Sequence, residues 1–228
     1  MAYILHLETS SPVCSVALSK ESELIHCIES TEPNIHSSHL SVFIRQLLND
    51  VGIIATNLSA VAVSNGPGSY TGLRIGLSTA KGICYGADLP LITLDSLQVM
   101  AGWFKKKNSA EIYADTLIVP LIDARRQEVY AGYYDSQIQP VKNPEAVILH
   151  ELSFEEIMKN HHCVFIGSGA EKTKSILKVY YNSRFYPYFT TSAVGMVDLA
   201  WKKFQNKQFA DVAYTEPYYL KDVFIVKG

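Results

Sequence analysis

The residues best placed to do chemistry lie in one stretch, Ser64-Asn-Gly-Pro-Gly-Ser-Tyr-Thr-Gly-Leu-Arg-Ile-Gly-Leu-Ser-Thr-Ala-Lys-Gly82. An apolar run, Ala60–Val63, leads into it, and a helix-forming run follows. A strand, a glycine loop and a helix in that order can turn backbone amides toward an anion. Gly66, Gly68 and Ser69 would line such a loop, and the same residues also suit a tight turn that only delivers the helix. The P-loop pattern fails, because the sixth position counted from Gly66 is Thr71 and its lysine is missing. The dinucleotide fingerprint fails as well, because Gly72 falls one residue too late after Gly66 and Gly68.

Two acids close apolar runs ahead of polar turns: Glu8-Thr-Ser-Ser11 and Asp123-Ala-Arg-Arg126. The two turns resemble the paired hairpins that hold phosphates in the actin, Hsp70 and sugar kinase superfamily, a resemblance that would put Glu8 and Asp123 where a magnesium-associated acid stands. Asp, Ser and Thr also stabilise turns and strand ends with no ligand present. His36 and His39 could share a metal across one helical turn, but Ser37 and Ser38 between them favour a helix start. No G-x-S-x-G elbow and no setting for a nucleophilic cysteine is visible. The sequence therefore offers no catalytic residue and no metal set.

These residues need a scaffold. The chain has 228 residues, 48% hydrophobic and 18% charged, enough for one large domain or two small ones. Runs 3–8 and 13–18 read as a hairpin, run 23–29 as a third strand, and Pro33-Asn34 as a break. Leu40, Phe43, Ile44, Leu47, Leu48 and Val51 then recur at helical spacing, and Gly52 ends the helix. Strand 58–63, helix 71–86, strand 91–94 and a helix from Ser96, capped by Asp95, complete the first half. The order βββαβαβα implies an α/β fold, a mixed sheet with helices on both faces. It is the ribonuclease-H-like layout, used twice in the actin, Hsp70 and sugar kinase superfamily.

A second, degenerate lobe echoes this order: strands 117–122 and 128–134, a third strand at 147–150, helix 151–159, strand 164–166, helix 171–180 and helix 192–206. The expected boundary puts an N-terminal docking lobe at 1–103 and the second lobe at 104–228, its last segment packing back on the first.

Charge and cysteine usage narrow the setting. The net charge is −2, which argues against a chain that grips nucleic acid alone. Residues 1–103 carry 4 basic and 8 acidic residues, and residues 104–228 carry 16 and 14. Lys105–Lys107 is the only basic run and reads as a solvated linker. No apolar run approaches a membrane span, and the N-terminus lacks a signal-peptide pattern. Cys14, Cys27, Cys84 and Cys163 form no C-x-x-C pair, which suits reduced thiols in the cytoplasm.

The helix after the glycine loop is apolar around most of its circumference. Arg74, Ser78 and Lys81 make a narrow polar strip, so one side meets a sheet and another needs a second cover. Gly76, Thr79 and Ala80 would allow another helix to come close. Leu40, Phe43, Ile44 and Leu47 on the earlier helix, with Arg74, Ile75, Gly76, Thr79, Ala80 and Ile83 here, form the expected partner interface.

The segment Gly66-Pro-Gly-Ser-Tyr-Thr-Gly-Leu-Arg-Ile-Gly-Leu-Ser-Thr-Ala-Lys-Gly82 strongly resembles the signature of the bacterial TsaB (YeaZ) family. Ile4–Ser10, Ser15–Leu18, His36–Leu40, Asp123–Tyr130 and Pro217–Leu220 support the resemblance along the whole chain. It implies a non-catalytic subunit of the machinery that makes N6-threonylcarbamoyladenosine at position 37 of tRNA. It implies a heterodimer with the transferase TsaD, a further ATPase partner TsaE, tRNA contact only through the complex, and a homodimer when the chain is alone. TsaD binds metal through two histidines downstream of its own glycine segment, and their counterparts here are Ser96 and Met100. Thr9, Ser10, Gly66, Gly68, Ser69 and Asp123 would be vestigial phosphate loops, with at most weak or complex-dependent binding of ATP or ADP with magnesium. The alternative is a metallopeptidase or an ATP-dependent phosphotransferase of the same superfamily.

Overall fold

The computed structural model describes residues 1–32, 35–178 and 180–221, so the break read at Pro33-Asn34 lies outside the described residues. Strands β1 (Tyr3–Glu8), β2 (Cys14–Lys20) and β3 (Glu23–Ser30) form an antiparallel meander. Strand β4 (Ala60–Ser64) joins β1 in parallel, and β5 (Leu91–Leu94) joins β4 in parallel, giving the order β3-β2-β1-β4-β5. Helix α1 (His36–Val51) precedes β4, α2 (Tyr70–Ala87) follows it, and α3 (Ser96–Lys107) follows β5.

The second sheet repeats this plan. Strands β6 (Thr116–Asp123), β7 (Glu128–Tyr134) and β8 (Pro140–Ile148) are antiparallel neighbours. Strands β9 (His162–Ile166) and β10 (Ser183–Tyr186) add in parallel, giving the order β10-β9-β6-β7-β8. Helices α4 (Glu155–Asn160), α5 (Ala170–Ile176) and α6 (Val197–Gln205) complete the chain. Two mixed sheets with helices on their faces make the expected α/β fold.

Local signals account for the helix ends. Gly52 caps α1 at φ 74°, and Ile53 N–H reaches back to Leu48 O at 3.0 Å. Ser69 Oγ accepts from Gly72 N at the start of α2, and Asp95 Oδ1 accepts from Gln98 N at the start of α3. Several ranges differ from the sequence reading. β8 begins at Pro140, because its first half is an exposed, polar sheet edge without apolar alternation. The helix placed at 151–159 shrinks to α4, and the one placed at 171–180 ends at Ile176, with Val179 outside the described residues. The helix placed at 192–206 opens with a 3-10 turn, Ala193–Met196, before α6.

Strand alternation splits the first sheet into two faces. Leu5, Leu7, Val16, Leu18, Val61 and Val63 pack under α1 and α2. Ile4, Ala17, Ala60 and Ala62 face the other way, where small alanines admit the 3-10 turn and α6. Helix α3 continues through residues 103 and 104, and its Leu97, Met100, Ala101 and Phe104 pack on Ile118, Tyr134, Val164 and Ile166 of the second sheet. Thus the helix that follows the first sheet covers the second, and the last helix covers the first.

Candidate functional site

The turn after β1 is built around one buried acid. Glu8 is fully buried, and its Oε1 accepts from Ser10 N at 2.7 Å and Ser10 Oγ at 2.6 Å. Ser64 Oγ, at the end of β4, donates to its other oxygen. Burial pushes the Glu8 carboxyl above the usual range, and the hydrogen bonds from Ser10 and Ser64 oppose this. Thr9 Oγ1 donates to Gly72 O at 2.8 Å. A Cβ on Gly72 would stand 2.0 Å from Thr9 O, and one on Gly76 would stand 2.2 Å from Thr9 Oγ1. The first two turns of α2 therefore seat directly on the hairpin, which is what these two glycines permit.

The glycine loop spends its amides inside the chain. Gly66 N donates to Ser96 Oγ at 3.1 Å, and Ser69 N donates to Ser10 O at 2.7 Å. Gly68 presses on Ser10, whose carbonyl oxygen lies 2.5 Å from where a Cβ would sit. From above, Tyr218 N donates to Asn65 O at 2.7 Å.

A cavity of about 530 Å³ opens where the hairpin, α2 and the second lobe meet. Ser10, Ser69 and Thr71 line it from one side, and Ile122, Ser168 and Phe189 from the other. This brings Ser10 and Ser69 together at one cavity, with Thr9, Gly66 and Gly68 behind them as packing. Asp123 borders the cavity through its N–H, which donates to Ser168 Oγ at 3.1 Å, but its Oδ1 is taken, accepting from Lys172 Nζ at 2.7 Å and from Arg125 N at 2.7 Å. No carboxylate lines the cavity among the described residues. With Glu8 sealed by hydroxyls and Asp123 paired to lysine, the residues present do not fit a magnesium nucleotide.

The other candidate groups are equally committed. Ser96 is buried and holds the glycine loop, and Met100 is core between the sheets. His36 begins α1 with Nε2 3.3 Å from Val13 O. The cap expected from Ser37 and Ser38 is absent, because Ile35 occupies the cap position and Ser38 Oγ donates to Ile35 O instead. All four cysteines are free thiols, and burial pushes Cys14, Cys27 and Cys84 up to about 11 and Cys163 up to about 12. None would be a thiolate near neutral pH.

The ten residues read as a partner interface divide into two sets. Leu40, Ile44, Leu47 and Ala80 are buried in the chain's own core, and Gly76 faces Thr9. Phe43, Ile75, Thr79 and Ile83 are half-buried, and Arg74 is exposed. A shallow groove of about 360 Å³ runs between α1 and α2, lined by Arg45, Ile53, Ile54, Thr79 and Ile83 among others, with Ile54 65% exposed. Along the outer side of α2, Gly82 and Gly86 have nothing within 4 Å of an added Cβ, and Tyr85 is 87% exposed.

The last segment packs back on the first lobe as a strap leaving α6, and sequence reasoning missed which residues hold it. Ala210 bridges to Leu91, Lys81 Nζ donates to Ala213 O at 3.1 Å, and Arg74 Nε donates to Tyr219 Oη at 3.2 Å. The Tyr219 ring lies 5.3 Å from that of Tyr70. The strap thus covers the polar strip of α2, a polar contact that hydrophobic periodicity does not reveal.

Residues 32–223 match the family model described as TsaD, tRNA N6-adenosine threonylcarbamoyltransferase. The tRNA threonylcarbamoyladenosine biosynthesis protein TsaB of Escherichia coli is 30% identical over 96% of this chain and 94% of its own. The chain belongs to the TsaB family. TsaB of Bacillus subtilis is 30% identical over 77% of this chain and 75% of its own. YeaZ from Pseudomonas aeruginosa shares the fold, with a TM-score of 0.79 at 21% identity over 96% of this chain and all of that one. A second Pseudomonas aeruginosa structure, described as similar to peptidase YeaZ, reaches 0.85 at 22% identity over 97% of this chain and all of that one. TsaB membership places the chain in tRNA threonylcarbamoyladenosine biosynthesis. No helix among the described residues is long and apolar enough to cross a membrane.

Proposed function

We propose that this TsaB-family chain is a non-catalytic subunit that docks on the transferase TsaD and holds it competent to modify tRNA. Docking uses the outer face of α1 and α2. The observation that carries this is the pair Gly82 and Gly86. Glycine within a helix costs about 0.5–1 kcal/mol relative to alanine. Neither residue has positive φ or a neighbour that a Cβ would strike. The folded monomer gains nothing from them, whereas a helix of another protein laid along α2 would gain close approach. The apolar groove beside them supplies the area such a helix would bury.

The non-catalytic part of the proposal rests on what fills the positions of chemistry. Ser96 and Met100 stand where TsaD would carry histidines, and both are spent on packing. The sealed Glu8 and the lysine-paired Asp123 favour this reading over a metallopeptidase or an ATP-dependent phosphotransferase. In the cytoplasm the chain would pair with itself through the same face until TsaD displaces the copy. TsaE would join the resulting complex. Residues 1–103 would act as the docking lobe and 104–228 as its support.

Ala80 is core, so it is no place to test docking. Thr79→Arg combined with Ile83→Glu changes two half-buried groove residues. The double variant should remain folded by circular dichroism, fail to co-purify with TsaD, and fail to support modification in a reconstituted assay. A folded variant that still co-purifies would refute the docking face.

A further inference from the structure

A second surface lies on the opposite side of the first sheet from α1 and α2. Between α3 and α6 runs a groove of about 410 Å³, walled by Lys105 and Lys106 of α3 and Lys202 of α6. Gln137 and Gln139 lie along it, and Asp198 is the one carboxylate among the described residues that line it. Its floor is set by two glycines. A Cβ on Gly195 would stand 2.5 Å from Val99 O, and one on Gly102 would stand 3.1 Å from Gly195 O. The 3-10 turn therefore lies directly against α3, and the lysines rise on either side.

None of Lys105, Lys106 and Lys202 forms an ion pair among the described residues. Lysine in a last turn offsets the negative end of a helix. That role is satisfied by one or two charges, whereas α3 carries Lys105, Lys106 and Lys107 in succession and α6 carries Lys202 and Lys203. Lys203 is committed to Thr93 O at 2.8 Å, and Lys107 lies 5.0 Å over the Trp103 ring. Lys105 Nζ reaches the neutral Gln137 Oε1 at 3.4 Å, and neither it nor Lys106 or Lys202 has a counter-charge, in a chain whose net charge is −2. An anion threaded between the helices would supply that counter-charge.

We propose that this groove holds the phosphate backbone of the tRNA on which the complex acts. The proposal rests on the reading above that the chain works beside a tRNA-modifying enzyme. Lysine ammonium groups recognise charge and not sequence, so the groove would position the RNA without selecting a base. Because α1 and α2 lie on the other face of the sheet, the enzyme and the RNA could be held at the same time.

The test is tRNA binding by fluorescence anisotropy across a salt series, with the chain alone and with the chain mixed with TsaD. The variant is K105E/K106E/K202E, with K105Q/K106Q/K202Q as a milder form and K142E/K174E/K178E as a control elsewhere. Three lost phosphate contacts should flatten the slope of log K against log salt by about 2–3 and weaken binding at low salt at least about tenfold. The glutamine form should fall between, the control should stay near wild type, and TsaD association by size-exclusion should be unchanged. A wild-type slope and affinity in the glutamate variant, or an equal loss in the control, would overturn the proposal. Failure of the wild-type chain to associate with TsaD would instead count against the docking reading, whereas wild-type chain that adds no salt-dependent tRNA binding, alone or beside TsaD, would overturn the groove.

Discussion

Replacing Gly82 and Gly86 together by alanine should make the monomer more stable and the complex weaker. Neither site has an atom within 4 Å of an added Cβ, so no packing is gained or strained in the monomer. Only the helix preference remains, about 0.5–1 kcal/mol for each residue, or roughly 1–2 kcal/mol for the pair. Gly76 in the same helix supplies the contrast, because a Cβ there would stand 2.2 Å from Thr9 Oγ1 and alanine should destabilise. Urea unfolding of the two variants would measure both signs. Titration with TsaD would then show whether the double variant, although more stable, binds at least about tenfold more weakly, as two methyl groups between close helices should cause. A more stable double variant with unchanged affinity would refute the claim that these glycines serve a partner.

Two further outcomes follow from single residues. His6 is fully buried, and burial lowers its imidazole from 6.5 to about 3, so the unfolded chain takes up the proton first on acidification. Its contribution is complete above pH 6.5 and is lost as the pH falls toward 3, with about 2 kcal/mol gone at pH 5. Buried Glu8 and Asp95, raised by burial, act in the opposite sense, so the measurement is the difference between wild type and His6→Gln. Wild type should lose about 2 kcal/mol more than the variant between pH 7 and pH 5 in urea unfolding, and equal losses would refute the assignment. Lys172 Nζ holds the β6–β7 turn by donating to Asp123 Oδ1, Arg126 O and Glu128 O, and Arg125 and Arg126 sit at φ 69° and 47°. Lys172→Met should speed tryptic cleavage at this turn roughly 5–30-fold, the effect of losing 1–2 kcal/mol of local stability, whereas unchanged cleavage would show that the turn holds itself.

Much of the first lobe was legible because its signals are local. Gly52 and Asp95 mark helix ends by backbone geometry and capping, and Leu40 to Val51 mark a face by spacing. The second lobe was less so. β8 begins in a polar sheet edge, and β10 is four residues whose pairing with β9 is fixed only by tertiary packing. At the candidate site, residue types located the hairpin and the glycine loop but not their commitments. Whether Gly66 N faces an anion or Ser96 Oγ depends on a residue 30 positions further along returning to the same point. The apolar face of α2 was visible, yet periodicity could not separate Ala80, buried beneath it, from Ile83 at its rim.

The exchange of α3 and α6 between the two sheets has a consequence for how the molecule is made. Each half carries, at its end, the covering its counterpart lacks. A polypeptide cut near residue 108 would yield one fragment with one face of its sheet bare and a helix that has nowhere to lie, and a second fragment in the same condition. Neither should be soluble by itself, and the two mixed should restore each other. In the intact chain the two lobes are therefore obliged to fold together, each closing the sheet of the other.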